Sequence, residues 1–236
     1  MSRPYPQEIR AHAIALVVDV LSFTTSVTVA VEAATHVFPY RWRDESAESF
    51  AKQKEAALAV GRRAANEESP WSLSPAALRH APFVPRLVLP SPNGSAIAAA
   101  AGDESTVIAA SLRNATAVGQ WLAAQGLGTI DRPVAVIAAG EKWPDGSLRP
   151  AAEDLLGAGA VVTALLACAG QAPSPEAAMA SAAFTGTPDP HAAVASSPSG
   201  RELGVAGFTE DVAIATELDA SQVVPVLTGG AFVDAV

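Results

Sequence analysis

Short apolar runs alternate along this chain with small polar loops and alanine-rich stretches. The clearest copy of the pattern starts with the run 14–18, continues through Asp19 and a group of hydroxyl side chains, and ends in an apolar stretch that reaches Ala34. A five-residue apolar run is typical of a buried strand, and the hydroxyl-rich segment indicates the start of a helix. Because the pattern occurs five times, it predicts an α/β fold with a mainly parallel sheet.

The same criteria place the remaining elements. Further strands are predicted at 35–40, 86–89, 105–110, 133–139 and 223–227, and helices at 46–60, 96–101, 115–125, 152–168 and 175–184, with a last helix from about residue 210. The proline-containing segment 61–85 is predicted to be an irregular loop, either functional or a solvated surface excursion. The segment 170–198, rich in Ala, Ser and Pro, is predicted to hold only the helix at 175–184.

Composition limits the classes of function. Half of the 236 residues are hydrophobic, which is enough for one large domain or two compact lobes. The chain has 15 Lys and Arg residues against 24 Asp and Glu, and its formal net charge of −9 argues against nucleic acid as a partner. An anionic substrate would therefore be bound by local cations, helix N-termini or a divalent metal ion.

The cysteine content and the length of the apolar runs bear on location. Cys168 is the single cysteine, so no disulfide can form within the chain, and its apolar helix face predicts that it is buried. The N-terminal residues lack a secretory apolar region, and no apolar run approaches the roughly 20 residues that span a bilayer. We therefore expect a cytoplasmic protein that does not associate with a membrane.

Asp19 ends the first predicted strand and is the first candidate site residue. A carboxylate at this position either caps the following helix or binds a metal ion. The hydroxyls of Ser22, Thr24 and Thr25 favour a binding site, because hydroxyls at a helix start can contact phosphate oxygens together with the free amides.

Two further loops follow predicted strands and open predicted helices. Asn93, Gly94 and Ser95 form either a tight turn or a set of amides that a ligand can approach closely. Asn114 offers the same alternatives, with helix capping favoured.

Glu153 and Asp154 begin the longest apolar helix. Two acids in a first turn are favourable with the helix dipole, which is one explanation for them. They also follow the glycine-rich loop that contains Lys142, and Gly157 and Gly159 lie inside the helix, which indicates close packing near a site. Paired carboxylates are ligands that Mg²⁺ prefers.

The loops and helix starts of this pattern together resemble a known family. The segments that carry the resemblance are Val17 to Thr25, Asn93-Gly94, Ser111 to Ala115, Ala138 to Gly140, Glu153-Asp154 and Ala158-Gly159, with Gly207 and Asp211 near the end. In this order and spacing they resemble the 2-phosphosulfolactate phosphatase family. The resemblance implies a Mg²⁺-dependent phosphatase of the coenzyme M pathway, which releases phosphate from 2-phospho-3-sulfolactate to give 3-sulfolactate.

The resemblance also implies an architecture and a set of site residues. It implies a three-layer α/β/α fold of two similar lobes, here 1–128 and 129–236, with the site between them. Asp19, Glu153 and Asp154 are the expected catalytic and metal-binding residues. The expected substrate-binding residues are Ser22, Thr24, Thr25, Arg63, Ser74, Asn93, Gly94, Ser95, Asn114, Gly140 and Lys142. The partner is a small anionic phosphorylated substrate, and a homodimer is the assembly considered.

Four positions depart from the pattern of the family. Leu73 stands where the family usually carries Asn, and Pro92 where it usually carries Thr. Ser22 stands where the family usually carries Arg, and Arg62 stands where it usually carries an acid.

If Arg62 lies in the site, its charge should weaken Mg²⁺ binding, unless phosphate or a neighbouring acid such as Glu67 or Glu68 intervenes. The alternative is that Arg62 lies on a solvated helix end. The change also supports a second hypothesis, a non-catalytic homologue that binds anions and has lost phosphatase activity.

Overall fold

A computed structural model describes residues 14–41, 44–100, 105–169 and 172–235. The strands are β1 Ile14–Val18, β2 His36–Tyr40, β3 Ala57–Leu58, β4 Arg86–Pro90, β5 Thr106–Ala110, β6 Val134–Ala138, β7 Glu141–Lys142, β8 Leu148–Arg149, β9 Pro225–Thr228 and β10 Ala231–Asp234. The α-helices are α1 Phe23–Glu32, α2 Glu45–Lys54, α3 Pro75–His80, α4 Gly94–Ala100, α5 Ala115–Ala124, α6 Ala152–Ala169, α7 Pro175–Thr185, α8 Pro190–Ser196, α9 Pro198–Val205 and α10 Thr209–Ala215. Short 3₁₀-helices span Arg62–Ala64 and Leu112–Asn114.

Within these ranges, eight strands form one sheet in the order β3, β4, β2, β10, β9, β5, β1, β6. Strand β1 runs parallel to β5 and β6, while β4 runs parallel to β2 and β3. The antiparallel hairpin of β9 and β10 joins the two parallel groups. Strands β7 and β8 form a separate hairpin directly after β6.

Alternate residues of the strands face two layers of helices. Leu16 and Val18 of β1 belong to one buried cluster with residues of α5 and α6, such as Leu122 and Val161. Val17, between them in sequence, belongs to a second cluster with residues of α1. The sheet therefore has helices on both faces, and the predicted three-layer α/β/α fold is confirmed. Strands from both sides of residue 128 lie in this sheet, while the division into two lobes stays a prediction.

The predicted helix 46–60 is wrong in its second half. Helix α2 begins after Asp44, whose side chain accepts a hydrogen bond from the amide of Ser46 at 3.0 Å, so Asp44 and not Ser46 is its N-cap. The helix ends at Lys54, because Glu55 adopts a left-handed conformation with φ of 51°. The chain then continues as β3, which pairs with β4.

Several elements that the sequence predicted as loop are helices that begin with proline. Ser74, Asp189 and Ser197 each precede a proline and accept an amide hydrogen bond from the first turn. Proline is well suited to the first helical position, since the amide that it lacks has no partner there. The prolines therefore mark the starts of α3, α8 and α9. Strand β10 was also absent from the sequence-based prediction.

The exposure of Cys168 and the character of the helices bear on two further predictions from the sequence. Cys168 is exposed on α6, so the prediction that it is buried is wrong. Among the residues that the structure describes, no helix combines the length and the apolar character needed to cross a membrane.

Candidate active site

The loops that follow β1 and β4 meet at the carboxylate of Asp19. Its Oδ1 accepts a hydrogen bond from the amide of Phe23 at 3.2 Å, and its Oδ2 accepts one from the amide of Gly94 at 3.0 Å. Asp19 therefore caps the start of α1 and also fixes the start of α4. The two roles that the sequence left open for this carboxylate, capping and site formation, are compatible, because each oxygen keeps a second lone pair.

Asp154 makes the corresponding connection between the loops that follow β1 and β6. Its Oδ1 accepts a hydrogen bond from the amide of Val20 at 2.7 Å, and its Oδ2 accepts one from the amide of Gly140 at 2.8 Å. The first turn of α6 is thereby fixed to both loops. The parallel strands β1 and β6 both end here, so the cluster lies at the carboxyl ends of one parallel group, where α/β sheets bind their ligands. The segment after β4, a strand of the other parallel group, reaches the same place through Gly94.

Glycine permits the close approach of these elements at two positions. A Cβ atom on Gly94 would lie 2.2 Å from Cδ1 of Phe23 and 2.9 Å from Oδ2 of Asp19. A Cβ atom on Gly157 of α6 would lie 2.8 Å from the side chain of Val18, at the end of β1. The close packing that the sequence predicted at Gly157 is present in the structure.

Two glutamates add further negative charge to this cluster. Oε2 of Glu141 accepts a hydrogen bond from Nδ2 of Asn93 at 2.8 Å, which links the loops after β6 and β4. The side chain of Glu153 is 1% exposed, and its Oε2 has no hydrogen-bond partner among the described residues. A buried carboxylate oxygen without a partner is costly, and a bound cation is one way to compensate it.

Burial and mutual repulsion raise the pKa values of the carboxylic acids. Burial is the main cause that raises the pKa of Asp19 to about 6, and the charge of Glu141 raises it further, against hydrogen bonds from Phe23 and Gly94. Burial and the charges of Asp19 and Glu153 raise the pKa of Asp154 well above its usual value. Burial also raises the pKa of Glu141. In these three carboxyls the effect of burial and of neighbouring acids outweighs that of Arg62 and Arg149, and a bound cation would favour their charged forms.

One guanidinium group, that of Arg62, is close enough to Asp19 for its charge to lower the pKa of this carboxyl. Nη2 of Arg62 donates to Oγ of Ser22 at 2.6 Å, and Nε donates to Oδ2 of Asp211 at 2.9 Å. The Asp211 side chain is 1% exposed, and its Oδ1 accepts a hydrogen bond from the hydroxyl of Ser74. Arg62 thus lies in the candidate site, on a 3₁₀-helix but not on a solvated helix end, and Asp211 is its acidic partner instead of Glu67 or Glu68.

Other residues predicted to bind substrate form the frame of the site in this geometry. The hydroxyl of Thr24 donates to the carbonyl oxygen of Asp19 at 2.8 Å, and that of Thr25 donates to the carbonyl oxygen of Val20 at 2.8 Å. Asn114 is fully buried and uses its amide on backbone groups of Ser111 and Val223. The side-chain donors of Thr24, Thr25 and Asn114 therefore already form hydrogen bonds with backbone carbonyl oxygens.

Ser95, Lys142 and Arg63 have different surroundings. Ser95 is buried below the start of α4, with its hydroxyl 3.5 Å from the carbonyl oxygen of Leu89. Lys142 is exposed at the mouth of a groove of about 300 Å³, which Asn93 and Glu141 also line. Arg63 is exposed and lines a separate groove beside α9, so the structure does not bring it to the carboxylate cluster.

Comparison with protein families decides the assignment. The family model described as 2-phosphosulpholactate phosphatase matches residues 3–230. The chain belongs to the 2-phosphosulpholactate phosphatase family. A search of the curated proteins finds no match to the chain. A phosphatase-type function follows from membership of this family, and it agrees with a site formed at the ends of parallel strands.

The site of this family member offers oxygen atoms, which are the ligands that Mg²⁺ prefers. The available donors are buried carboxylate oxygens, one of them unpartnered, on Asp19, Glu153 and Asp154. Within the described part of the chain, no three His, Cys, Asp or Glu side chains are arranged around one ion position. Mg²⁺ commonly takes only one or two protein carboxylates and completes its shell with water and substrate phosphate, so the two observations are compatible.

Sequence reasoning left two residues of this phosphatase site out of the predicted set. Glu141 follows Gly140 directly, and its place after a predicted strand was the signal that could have identified it. Asp211 was noted only through the family resemblance, and nothing in its local sequence indicates the contact with Arg62, which is 149 residues away.

Proposed function

We propose that the chain is a Mg²⁺-dependent phosphatase that hydrolyses the phosphomonoester of a small phosphorylated hydroxy acid. The substrate that its family implies is 2-phospho-3-sulfolactate, with 3-sulfolactate and phosphate as products. The observation that carries the proposal is the buried carboxylate cluster at the carboxyl ends of β1 and β6, in which Oε2 of Glu153 has no partner among the described residues. Family membership supports the reaction class.

In this proposal Glu153, with Asp19 or Asp154, would hold the magnesium ion. When bound, Mg²⁺ would neutralise negative charge on the phosphate and lower the pKa of bound water. The hydrogen bonds of Asp19 and Asp154 to backbone amides orient their carboxylates, so the three loops keep one arrangement. The oxygen of water attacks phosphorus, the ester P–O bond breaks, and the leaving alkoxide takes up the one proton that the attacking water gives up, so that the products are the hydroxy acid and hydrogen phosphate.

The groove beside the cluster would receive the substrate. Its volume of about 300 Å³ suits a small molecule. Lys142 is exposed at its mouth and would attract an anion, and the amide side chain of Asn93 fixes Glu141 along its wall. Leu148 and Ile97 give part of the groove an apolar lining, which limits the size of the group beside the phosphate.

Phosphate release from a panel of phosphorylated hydroxy acids tests the proposal. We expect release with Mg²⁺, none with EDTA, and recovery when Mg²⁺ is added back. Asp19→Asn should lower turnover at least 100-fold, since it removes a charge from the cluster. Asp131→Asn, at an exposed position, is the control and should retain full turnover. Absence of metal-dependent release from every member of the panel would contradict the proposal.

The second candidate is a homologue that binds anions without hydrolysing them. The specific observation in its favour is Arg62, a cation beside Asp19 where the family usually has an acid. Calorimetry with phosphorylated hydroxy acids separates the candidates. Binding without phosphate release, in the presence of Mg²⁺, would favour the second candidate over the first.

A further inference from the structure

The hairpin of β7 and β8 forms one wall of the groove beside the carboxylate cluster. Glu141 and Lys142 on β7 and Leu148 on β8 line this groove. Each strand has two residues, and the hairpin forms a sheet of its own, separate from the eight-stranded sheet. An isolated two-stranded hairpin is at best marginally stable in water. Contacts with other parts of the molecule therefore have to fix the position of this wall.

The β7 arm is fixed by contacts within the candidate site. The amide of Gly140, directly before β7, donates to Oδ2 of Asp154 at 2.8 Å. The side chain of Glu141 accepts a hydrogen bond from Nδ2 of Asn93 at 2.8 Å. These contacts act on the start of the hairpin and leave the position of β8 to other interactions.

The β8 arm is fixed to helix α9 by Arg149, which pairs with Glu141 across the hairpin. Nη1 and Nη2 of Arg149 donate to Oε1 and Oε2 of Glu202 at 2.7 and 3.1 Å. Nη2 also lies 3.4 Å from Oγ of Ser199, and Cζ lies 5.7 Å from the centre of the Trp143 ring. The Arg149 side chain is only 14% exposed. Bidentate geometry is the condition under which an ion pair near the surface fixes two elements to each other.

Glu202 acts on the groove from outside. Its side chain is 63% exposed and lines a different groove, the one beside α9 that Arg63 also lines. The negative charge of Glu202 raises the pKa of Glu141, so it reaches the substrate groove as a repulsion of anions. The contact with Arg149 gives Glu202 a second effect on the groove, which passes through the hairpin and has the opposite sign.

We propose that Arg149 is a positioning residue of the phosphatase, and that its pair with Glu202 holds the hairpin where Glu141 and Lys142 line the groove. The inference rests on the proposed phosphatase function and adds a residue on which substrate binding depends. The alternative is a pair that only stabilises the fold. Its loss would then lower the Tm and leave both the hairpin and the affinity for substrate unchanged.

Hydrogen exchange of the hairpin tests the positioning role without any turnover. The amide of Trp143 donates to the carbonyl oxygen of Ser147 at 2.8 Å, so its exchange reports opening of the hairpin. We expect Arg149→Ala and Glu202→Ala to speed exchange in the segment 141–149 on the order of 10-fold. Exchange in helix α2 should not change and serves as the internal reference.

The KM of the best substrate in the panel of phosphorylated hydroxy acids gives the second test. We expect Arg149→Ala and Glu202→Ala each to raise KM on the order of 10-fold, with little change in kcat, since the expected metal-binding carboxylates lie outside the hairpin. Glu202→Ala is the decisive variant, because loss of its negative charge alone would favour an anionic substrate and lower KM. The double variant should have the KM of a single variant, because both substitutions break the same contact.

Arg79 supplies the matched control. It also donates to both carboxylate oxygens of a glutamate, Glu217, and this pair joins α3 to the segment after α10. Arg79→Ala removes a bidentate pair of the same kind, so it should lower the Tm by a similar amount. Exchange in the hairpin and KM should stay as in the unmodified protein. Thermal melting measures the stability of each variant and shows whether it is folded.

The outcomes separate the positioning role from the phosphatase activity. Unchanged exchange in the hairpin, a KM of Glu202→Ala that is equal to or lower than that of the unmodified protein, or equal effects of Arg79→Ala would overturn the positioning role. Faster exchange in the hairpin of both variants, in a protein that hydrolyses no phosphate ester, would support the hold of Arg149 on the hairpin and contradict the phosphatase function.

Discussion

The Oδ2 atom of Asp19 accepts a hydrogen bond from the amide of Gly94 at 3.0 Å, across 75 residues of sequence. The contact joins the loop after β1 to the start of α4, and it is short enough to leave no room for a side chain at residue 94. The position of the Asp19 carboxylate therefore depends on a glycine in another loop. A substitution at Gly94 should disturb the site without changing any of its charged groups.

Gly94→Ala should lower both stability and turnover. Its Cβ would lie 2.2 Å from the ring of Phe23, which is fully buried, so the ring or the loop has to move. Overpacking of this kind costs about 1–3 kcal/mol, and displacement of Asp19 should lower kcat/KM at least about 10-fold. Thermal unfolding and phosphate release measure the two effects. Gly61→Ala is the matched control, since a Cβ there has no atom within 4 Å; equal behaviour of the two variants would contradict the prediction.

Glu153→Gln should stabilise the metal-free protein and remove its response to Mg²⁺. The substitution replaces a buried, unpartnered carboxylate oxygen by an amide that can donate to the neighbouring acids, which should stabilise by about 1–3 kcal/mol. For a chain of this size, that corresponds to an increase in Tm of roughly 2–4 °C per kcal/mol. Thermal melts with and without Mg²⁺ measure both effects.

Glu176 provides the control for this experiment. It lies in the first turn of α7, as Glu153 lies in the first turn of α6, but it is exposed. Glu176→Gln should change the Tm little and leave the stabilisation by Mg²⁺ intact. If Glu153→Gln destabilises the metal-free protein, or if Mg²⁺ still stabilises that variant fully, Glu153 is not an uncompensated carboxylate of a metal site.

The raised pKa of Asp19 predicts a pH dependence of stability. Because the folded chain binds this proton more tightly than the unfolded chain, the contribution of Asp19 is largest below pH 3.8 and decreases as the pH rises through about 6. The corresponding loss is about 3 kcal/mol. The charged groups that act on Asp19 are Glu141, Arg62 and Asp154.

Comparison with Asp19→Asn isolates this effect. The free energy of unfolding of the unmodified metal-free protein minus that of the variant should decrease between about pH 4 and pH 7, while the titration of distant groups cancels. The asparagine is not a perfect substitute, since both Asp19 oxygens accept backbone amides and an asparagine has only one such oxygen. The free energy lost with this one hydrogen-bond acceptor is independent of pH. Denaturant titrations at several pH values measure the slope, and a difference that does not vary with pH would contradict the raised pKa.

Arg62→Glu should destabilise the protein. The sequence predicts that this change tightens Mg²⁺ binding, and the structure adds that Arg62 pairs with Asp211, which is almost completely buried. A glutamate here would face Asp211 as a like charge, and breaking such a pair costs about 3 kcal/mol or more. Chemical unfolding of Arg62→Glu beside Arg63→Glu, at the exposed neighbour, measures the difference. Equal stability of the two variants would show that the contact with Asp211 contributes little.

The order and type of most elements near the site followed from the sequence alone. The apolar runs that became β1, β4, β5 and β6 are short, and each ends in polar residues or glycine, so local hydrophobicity was enough to identify them. Asp19, Asn93, Gly94 and Asp154 were identified for the same reason, since they follow a strand or begin a helix. The functional class was implied by the resemblance of these segments to a family.

The tertiary structure decided which of these residues face one another. Local sequence gave no sign that Thr24, Thr25 and Asn114 use their polar hydrogens on nearby backbone, because the same residue types bind either a ligand or a loop. The pairing of Arg62 with Asp211 and Ser22, and of Glu141 with Asn93, depends on how the strands are ordered in the sheet. Charge partners far apart in sequence are brought together by packing, and the pattern of hydrophobic and polar residues contains no record of them.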